Sequence, residues 1–198
     1  MPGTTPVTDA TEGEVALVLV DVQNAFFHAD GENFYSEAAS ILPQLSALLD
    51  AARRGGRLIV HVADVHRPGL ADFESHKLPP HGQSDSFNAE YFAGFGPPSA
   101  RAPREVALIK RRFSAFFGTD LDLLLRENGV RRLVVAGVKT NVCVRATIQD
   151  GFGLGYRCLL VEDATNSNRA ELAAASREDI RRYMGWLWST DAACKVLA

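Results

Sequence analysis

Hydrophobic positions along the chain fall into unbroken aliphatic runs that alternate with segments of helical period. Residues 15–20 form one such run, Val-Ala-Leu-Val-Leu-Val, closed by Asp21. A run without polar alternation suits a strand covered on both faces, as in a parallel sheet. Residues 36–54 then place Ile41, Leu45, Leu48 and Leu49 on one side of a helix, and Gly55 and Gly56 supply a stop. A second buried strand is predicted over 57–63. Further strands are predicted over 105–109, 132–137, 156–161 and 186–188. The intervening helices are expected over 120–126, from Thr140 or Asn141 to about Leu154, and over 169–183, with a small helix at the end of the chain. Thr119 is the expected N-cap of the first of these.

Strands alternating with helices imply right-handed βαβ units. The predicted fold is therefore α/β with three layers, an open and mostly parallel sheet with helices on both faces. Residues 64–104 break the pattern with Pro68, Pro79, Pro80, Pro97, Pro98 and Pro103 and with isolated aromatics such as Phe73, Phe87 and Tyr91. A segment this long and irregular is expected to form a lid or a binding loop.

Composition narrows the functional classes. A chain of 198 residues, 46% hydrophobic, can build one core without covalent staples. A single domain is expected over 13–198, after a flexible leader over 1–12 that lacks the pattern of a signal peptide. The net charge of −3 argues against a nucleic-acid partner. No apolar run has the length of a membrane helix, so no membrane partner is expected. Cys143, Cys158 and Cys194 form neither a disulfide framework nor a zinc-ligand pattern, which suits a reducing, cytoplasmic setting.

In open α/β sheets, ligands bind beyond the carboxyl ends of the strands. Three reactive side chains fall there. Asp21 closes the first strand, Lys110 ends the strand at 105–109, and Cys143 opens the helix after the strand at 132–137. Singly, each has an ordinary reading as a turn residue, a solvated lysine or a small buried hydrophobe. Their convergence on one sheet edge points to chemistry. A cysteine at a helix N-terminus is biased toward the thiolate. A carboxylate can take its proton, an ammonium can stabilise the charge, and backbone N–H groups can hold the oxyanion of an attacked carbonyl. None of the five histidines lies in a motif with a cysteine, and His61 reads as a packed strand residue.

Three motifs carry a resemblance. They are Leu19-Val20-Asp21-Val22-Gln23-Asn24-Ala25-Phe26, Lys110 to Thr119 (KRRFSAFFGT), and Ala136-Gly137-Val138-Lys139-Thr140-Asn141-Val142-Cys143-Val144. Together they resemble the isochorismatase-like cysteine hydrolases over about Val15 to Leu197. The resemblance implies Asp21 as general base, Lys110 as electrostatic partner and Cys143 as nucleophile. It also implies a cis peptide at Val138–Lys139 and an oxyanion hole from the backbone N–H groups of Lys139 and Cys143. By position, Phe26, His66 and Phe113 are candidate pocket walls. Residues 143–165 and Gly185-Trp186 are similar to ureidoacrylate amidohydrolases, whereas Val65 to Asp72 is similar to biuret-hydrolase-like relatives. Lys139 stands where the family often has Ala or Thr, and a long cation beside the pocket is expected to influence substrate choice.

The expected activity is cleavage of a C–N bond in a small amide, ureide or carbamoyl compound through a thioester-type intermediate, with no cofactor. A metal-assisted, nicotinamidase-like deamidase is the alternative. Its ion, if any, would sit on Asp64 and His66, with His76 and His81 available downstream, although the surrounding residues do not match the nicotinamidase pattern. An inactive binding module of the same fold is a further alternative. An isochorismate-type vinyl-ether hydrolase fits less well, because those relatives lack the cysteine. The expected partners are a small-molecule substrate and other copies of the chain, in a dimer or tetramer.

Overall fold

The computed structural model describes residues 13–98 and 103–198. The leader expected over 1–12 lies outside the described residues. Six strands form the sheet: β1 (Glu14–Val20), β2 (Leu58–Asp64), β3 (Glu105–Lys110), β4 (Val130–Val138), β5 (Arg157–Asn166) and β6 (Trp186–Trp188). Their order is β3-β2-β1-β4-β5-β6, and every pairing is parallel. The chain lays down β2 and β3 on one side of β1, then crosses to place β4 on the other. The sheet therefore reverses direction at β1, the kind of position where a crevice opens above the strand ends.

β1, β2 and β4 are buried on both faces, which explains their unbroken aliphatic runs. Val15, Leu17 and Leu19 of β1 join one core with Leu45, Leu48, Leu49 and Leu197. Ala16, Val18 and Val20 join the opposite core with Leu121, Leu125, Ile148 and Ile180. After the short α1 (Asn24–Phe27), the helices that supply these residues are α2 (Leu42–Arg54) and α6 (Thr190–Leu197) on the first face. On the second are α3 (Leu121–Glu127), α4 (Arg145–Gly153) and the turn that follows α5 (Ala170–Asp179). Gly137 has φ +112°, and a Cβ there would overlap the backbone of Val20. Only glycine lets β4 approach β1 this closely at its end.

Several boundaries differ from those read in the sequence. The segment 36–54 splits into a 3-10 turn (Ser36–Ile41) and α2, with Pro43 in the first turn of α2. Proline is tolerated there because the first N–H groups of a helix have no internal partner. Neither Thr140 nor Asn141 caps a helix. The chain instead enters α4 through a π turn (Thr140–Val144), and the Thr140 hydroxyl bonds that of Thr165 at 2.8 Å. A second π turn (Ile180–Met184) follows α5. Asp120, not Thr119, occupies the N-cap position of α3, although Thr119 Oγ1 accepts from the Leu121 N–H at 3.3 Å.

Residues 64–98 are ordered by long-range pairing rather than by their own period. Asn24 N–H donates to Glu90 O at 2.9 Å, and Phe92 N–H to Val22 O at 2.9 Å. His66 and Ser84 join the two limbs of the loop through His66 N–H to Gly82 O at 2.8 Å and Ser84 N–H to His66 O at 2.7 Å. Among the described residues, no helix is long and apolar enough to cross a membrane.

Candidate active site

The ends of β1, β2, β3 and β4 converge on four side chains. Asp21 follows β1 and is fully buried, with its backbone in the left-handed region at φ +54°. Non-glycine residues adopt that region rarely and tend to do so where function constrains them. Lys110, the last residue of β3, is also fully buried. Its Nζ lies 3.1 Å from Asp21 Oδ2 and 3.4 Å from Oδ1 of Asp64, the last residue of β2. It also donates to Cys143 Sγ at 3.5 Å. Cys143 sits in the π turn after β4, and the Val138–Lys139 peptide that leads into this turn is cis.

One ammonium thus serves two carboxylates and a thiol. Burial favours the neutral carboxyl of Asp21 and pushes its pKa up to about 6, although Lys110 pulls in the opposite direction. Burial pushes the Cys143 thiol well up, with Asp21 adding to the effect and Lys110 opposing it. Burial opposes the charge on Lys110, but Asp21, Cys143 and Asp64 outweigh it and hold the amine protonated. At neutral pH the site therefore holds two carboxylates, an ammonium and an intact thiol. The sequence reading had the helix N-terminus bias the cysteine toward the thiolate. Burial of Cys143 in the π turn reverses that bias.

A cavity of about 580 Å³ opens onto Cys143. Phe26 and Phe113 line it, together with Lys139, Asn141, Arg145 and His81. Asp21 and Lys110 are not among its lining residues. His66 is not a wall of this cavity, contrary to the sequence reading. It is 4% exposed and faces an adjoining 210 Å³ space, because its backbone pairs with Gly82 and draws the ring inward. His76 is exposed and packs against Phe73 with the two rings tilted at 56°.

His66 joins a cluster with Asp64 and His81, in which one donor atom from each lies within 4.8 Å of the others. His66 Nδ1–H donates to Asp72 Oδ2 at 2.7 Å, and Asp72 is held in turn by Arg111 and Arg112. That bond leaves Nε2 facing Asp64. Asp64 Oδ1 and His66 Nε2 are buried without a hydrogen-bond partner among the described residues. A carboxylate and two imidazoles, with one imidazole oriented by a second carboxylate, form a donor set that fits a divalent ion. The hydrogen bond and charge of Asp64 raise the pKa of His81 to about 9.

Sequence reasoning did not single out Gln23. Its Oε1 accepts from Asp64 N–H at 2.8 Å and its Nε2 donates to Ala89 O at 2.9 Å, which locks β2 and the long loop to the segment after Asp21. His81 is separated from Asp64 in the sequence by a proline-containing stretch. Its spacing from Asp64-x-His66 was the only signal that could have placed it.

The Isochorismatase domain model matches residues 15–192. This chain belongs to the isochorismatase family. Within that superfamily of hydrolases, it resembles N-carbamoylsarcosine amidase from Thermoplasma acidophilum, with 30% identity and a TM-score of 0.80 over 90% of this chain and 97% of that one. An isochorismatase family protein from Desulfovibrio vulgaris is 33% identical, with a TM-score of 0.82 over 93% and 98% of the two chains. The pyrazinamidase of Pyrococcus horikoshii, solved in complex with zinc, is 28% identical, with a TM-score of 0.79 over 89% and 99%.

Proposed function

We propose that this isochorismatase-family hydrolase is a cysteine amidohydrolase that cleaves a C–N bond in a small amide, ureide or carbamoyl compound. The observation that carries the reading is the buried contact of Lys110 with both Asp21, at 3.1 Å, and Cys143, at 3.5 Å, beside a cavity that reaches the thiol. The Asp21 carboxylate takes the Sγ–H proton as the sulfur attacks the carbonyl carbon. The C=O electron pair moves to oxygen, and the backbone N–H groups of Lys139 and Cys143 hold that oxyanion. Asp21, now protonated, gives its proton to the leaving nitrogen as the C–N bond breaks, releasing ammonia or an amine. The acyl group remains on Cys143. Asp21 then deprotonates a water, which attacks the thioester, and collapse expels the thiolate, which recovers its proton from Asp21. One carboxyl acts twice, as a two-step acyl transfer requires.

Similarity to N-carbamoylsarcosine amidase from Thermoplasma acidophilum supports the carbamoyl end of this range. The three free cysteines fit a cytoplasmic enzyme, and a homodimer or homotetramer belongs to the same proposal. An ammonia-release screen over amides, ureides and carbamoyl amino acids tests the reading. Turnover that disappears in Cys143→Ala supports it, and turnover that survives there overturns it.

The Asp64, His66 and His81 cluster favours a second reading, a metal-assisted deamidase, which the similarity to a zinc-containing pyrazinamidase also supports. A divalent ion held there would supply Lewis-acid polarisation and orientation of a substrate or water. Stoichiometric metal in the purified protein, with activity lost on chelation and restored on reloading, selects it. Activity that survives exhaustive EDTA dialysis with metal absent excludes it.

A further inference from the structure

The cavity beside Cys143 contains a cation, Lys139, with no acidic partner among the described residues. Lys139 Nζ lies 5.7 Å from the Phe26 ring centroid and 5.5 Å from that of Tyr35. Tyr35 is itself fixed, because its hydroxyl donates to Asn166 Oδ1 at 2.6 Å. Two aromatic faces therefore hold the ammonium without neutralising it. No carboxylate among the described residues forms an ion pair with Lys139. Of the other cationic groups lining the cavity, Arg145 is turned to Asp179 Oδ2 at 3.4 Å and to Gln149 Oε1 at 3.1 Å, and His81 is turned to Asp64 Oδ2 at 3.5 Å. Asp64, the carboxylate on the cavity wall, is taken up by Lys110, His66 and His81.

A half-buried ammonium is costly unless something anionic or strongly polarisable faces it. Burial indeed disfavours the charged form of Lys139. The rings supply part of the compensation, and the open side faces the space a substrate would fill. Asn141 lines the same cavity, and its Oδ1 is buried without a hydrogen-bond partner among the described residues, so it offers an acceptor for an N–H of the same ligand.

We propose that Lys139 is the specificity-determining residue of this site. It receives the carboxylate of a small substrate that carries an acid a few bonds from the amide or carbamoyl carbon attacked by Cys143. The substrate class is then a carbamoyl or amide acid, such as an N-carbamoyl amino acid or a short dicarboxylic acid monoamide. A neutral amide would leave the ammonium unpaired. This inference rests on the amidohydrolase reading for its scissile bond, but recognition of the acid can be measured without turnover.

The test uses the full chain carrying Cys143→Ala, with calorimetric titration of matched pairs: N-carbamoylglycine against N-carbamoylglycinamide, and succinamic acid against succinamide. With Lys139 present, each acid binds about 10- to 100-fold tighter than its amide, the range of a charge-assisted hydrogen bond. Lys139→Met, which keeps a linear stem against the two rings, abolishes the difference, whereas Lys139→Arg retains a preference for the acid. Equal binding of acid and amide with Lys139 present overturns the proposal, as does a preference that survives Lys139→Met. Turnover by the enzyme with Cys143 intact is scored separately. Acid-selective binding without turnover supports the role of Lys139 and counts against the amidohydrolase. Turnover of neutral amides with no preference for acids does the reverse.

Discussion

Replacing Lys110 by methionine removes the side chain that contacts Asp21, Asp64 and Cys143 together. Two consequences follow from the geometry. At 3.1 Å, one charge pair is worth about 5 kcal/mol at an effective dielectric near 20, and a 3.5 Å contact to the sulfur is worth nearly as much once that sulfur is a thiolate. Water entering the vacated space returns part of this, so a loss of about 2.5–5 kcal/mol of transition-state stabilisation, roughly 10²- to 10⁴-fold in kcat/KM, is expected. The second consequence is a pH shift with a definite sign. Asp21 must be ionised to accept the thiol proton, and its pKa lies at about 6. In the wild-type enzyme kcat/KM should therefore fall below that pH, to about one tenth of its plateau one unit lower. Lys110 lowers the pKa of Asp21 while the Asp64 charge raises it. Without the lysine, the acid limb should move upward by about one to two units. The assay is ammonia release between pH 4.5 and 9 for both proteins, at substrate concentrations well below KM. An acid limb that stays in place or moves down in Lys110→Met refutes this electrostatic reasoning, as does a loss of only a few-fold.

Other perturbations follow from the same geometry. Asp21→Asn should lose turnover by at least about 10³-fold at every pH while Cys143 remains present, because an amide cannot accept the proton; recovery at high pH would point to another base. Cys143 lines the large cavity, whereas Cys158 is fully buried and its thiol is pushed up to about 12 by burial. Brief alkylation followed by peptide mass mapping should therefore label Cys143 well ahead of Cys158, and should label it more slowly once Asp21 is replaced by Asn. Gly137→Ala should lower stability in urea unfolding by at least about 2 kcal/mol, since it forces both a strained φ and a clash with the Val20 backbone. An unchanged midpoint would mean that β4 can withdraw from β1 without cost.

The parallel sheet was legible because β1, β2 and β4 are buried on both faces, and burial on both faces writes itself as an aliphatic run. β5 was read short for the opposite reason. Beyond Val161 it carries Glu162 and Asp163, both exposed, and its pairing with β4 shifts register between Val135 and Gly137. Neither feature has a local sequence signal. The two π turns were equally silent, because apolar spacing does not distinguish a wide turn from an α-helical one. Asp21, Lys110 and Cys143 could be found from their places at strand ends. The loop over 64–98 could not, because its order comes from partners such as Val22, Asn24 and Gln23 that lie far away in sequence. That is why His66 read as a pocket wall and why His81 had no fixed place beside Asp64. Lys139 was visible as a departure from the family pattern, but its freedom from carboxylates emerges only from the fold.

The central claim is that the sulfur of Cys143 carries the substrate's acyl group during turnover. Mixing enzyme with an active substrate, quenching in acid within milliseconds and mass-mapping the digest reads this directly. The predicted result is an adduct of the acyl fragment's mass on the peptide containing Cys143. It should appear within the first turnover, be absent from Cys143→Ala, and decay as substrate is exhausted. Undiminished turnover in Cys143→Ala, or an adduct confined to another residue, would contradict it.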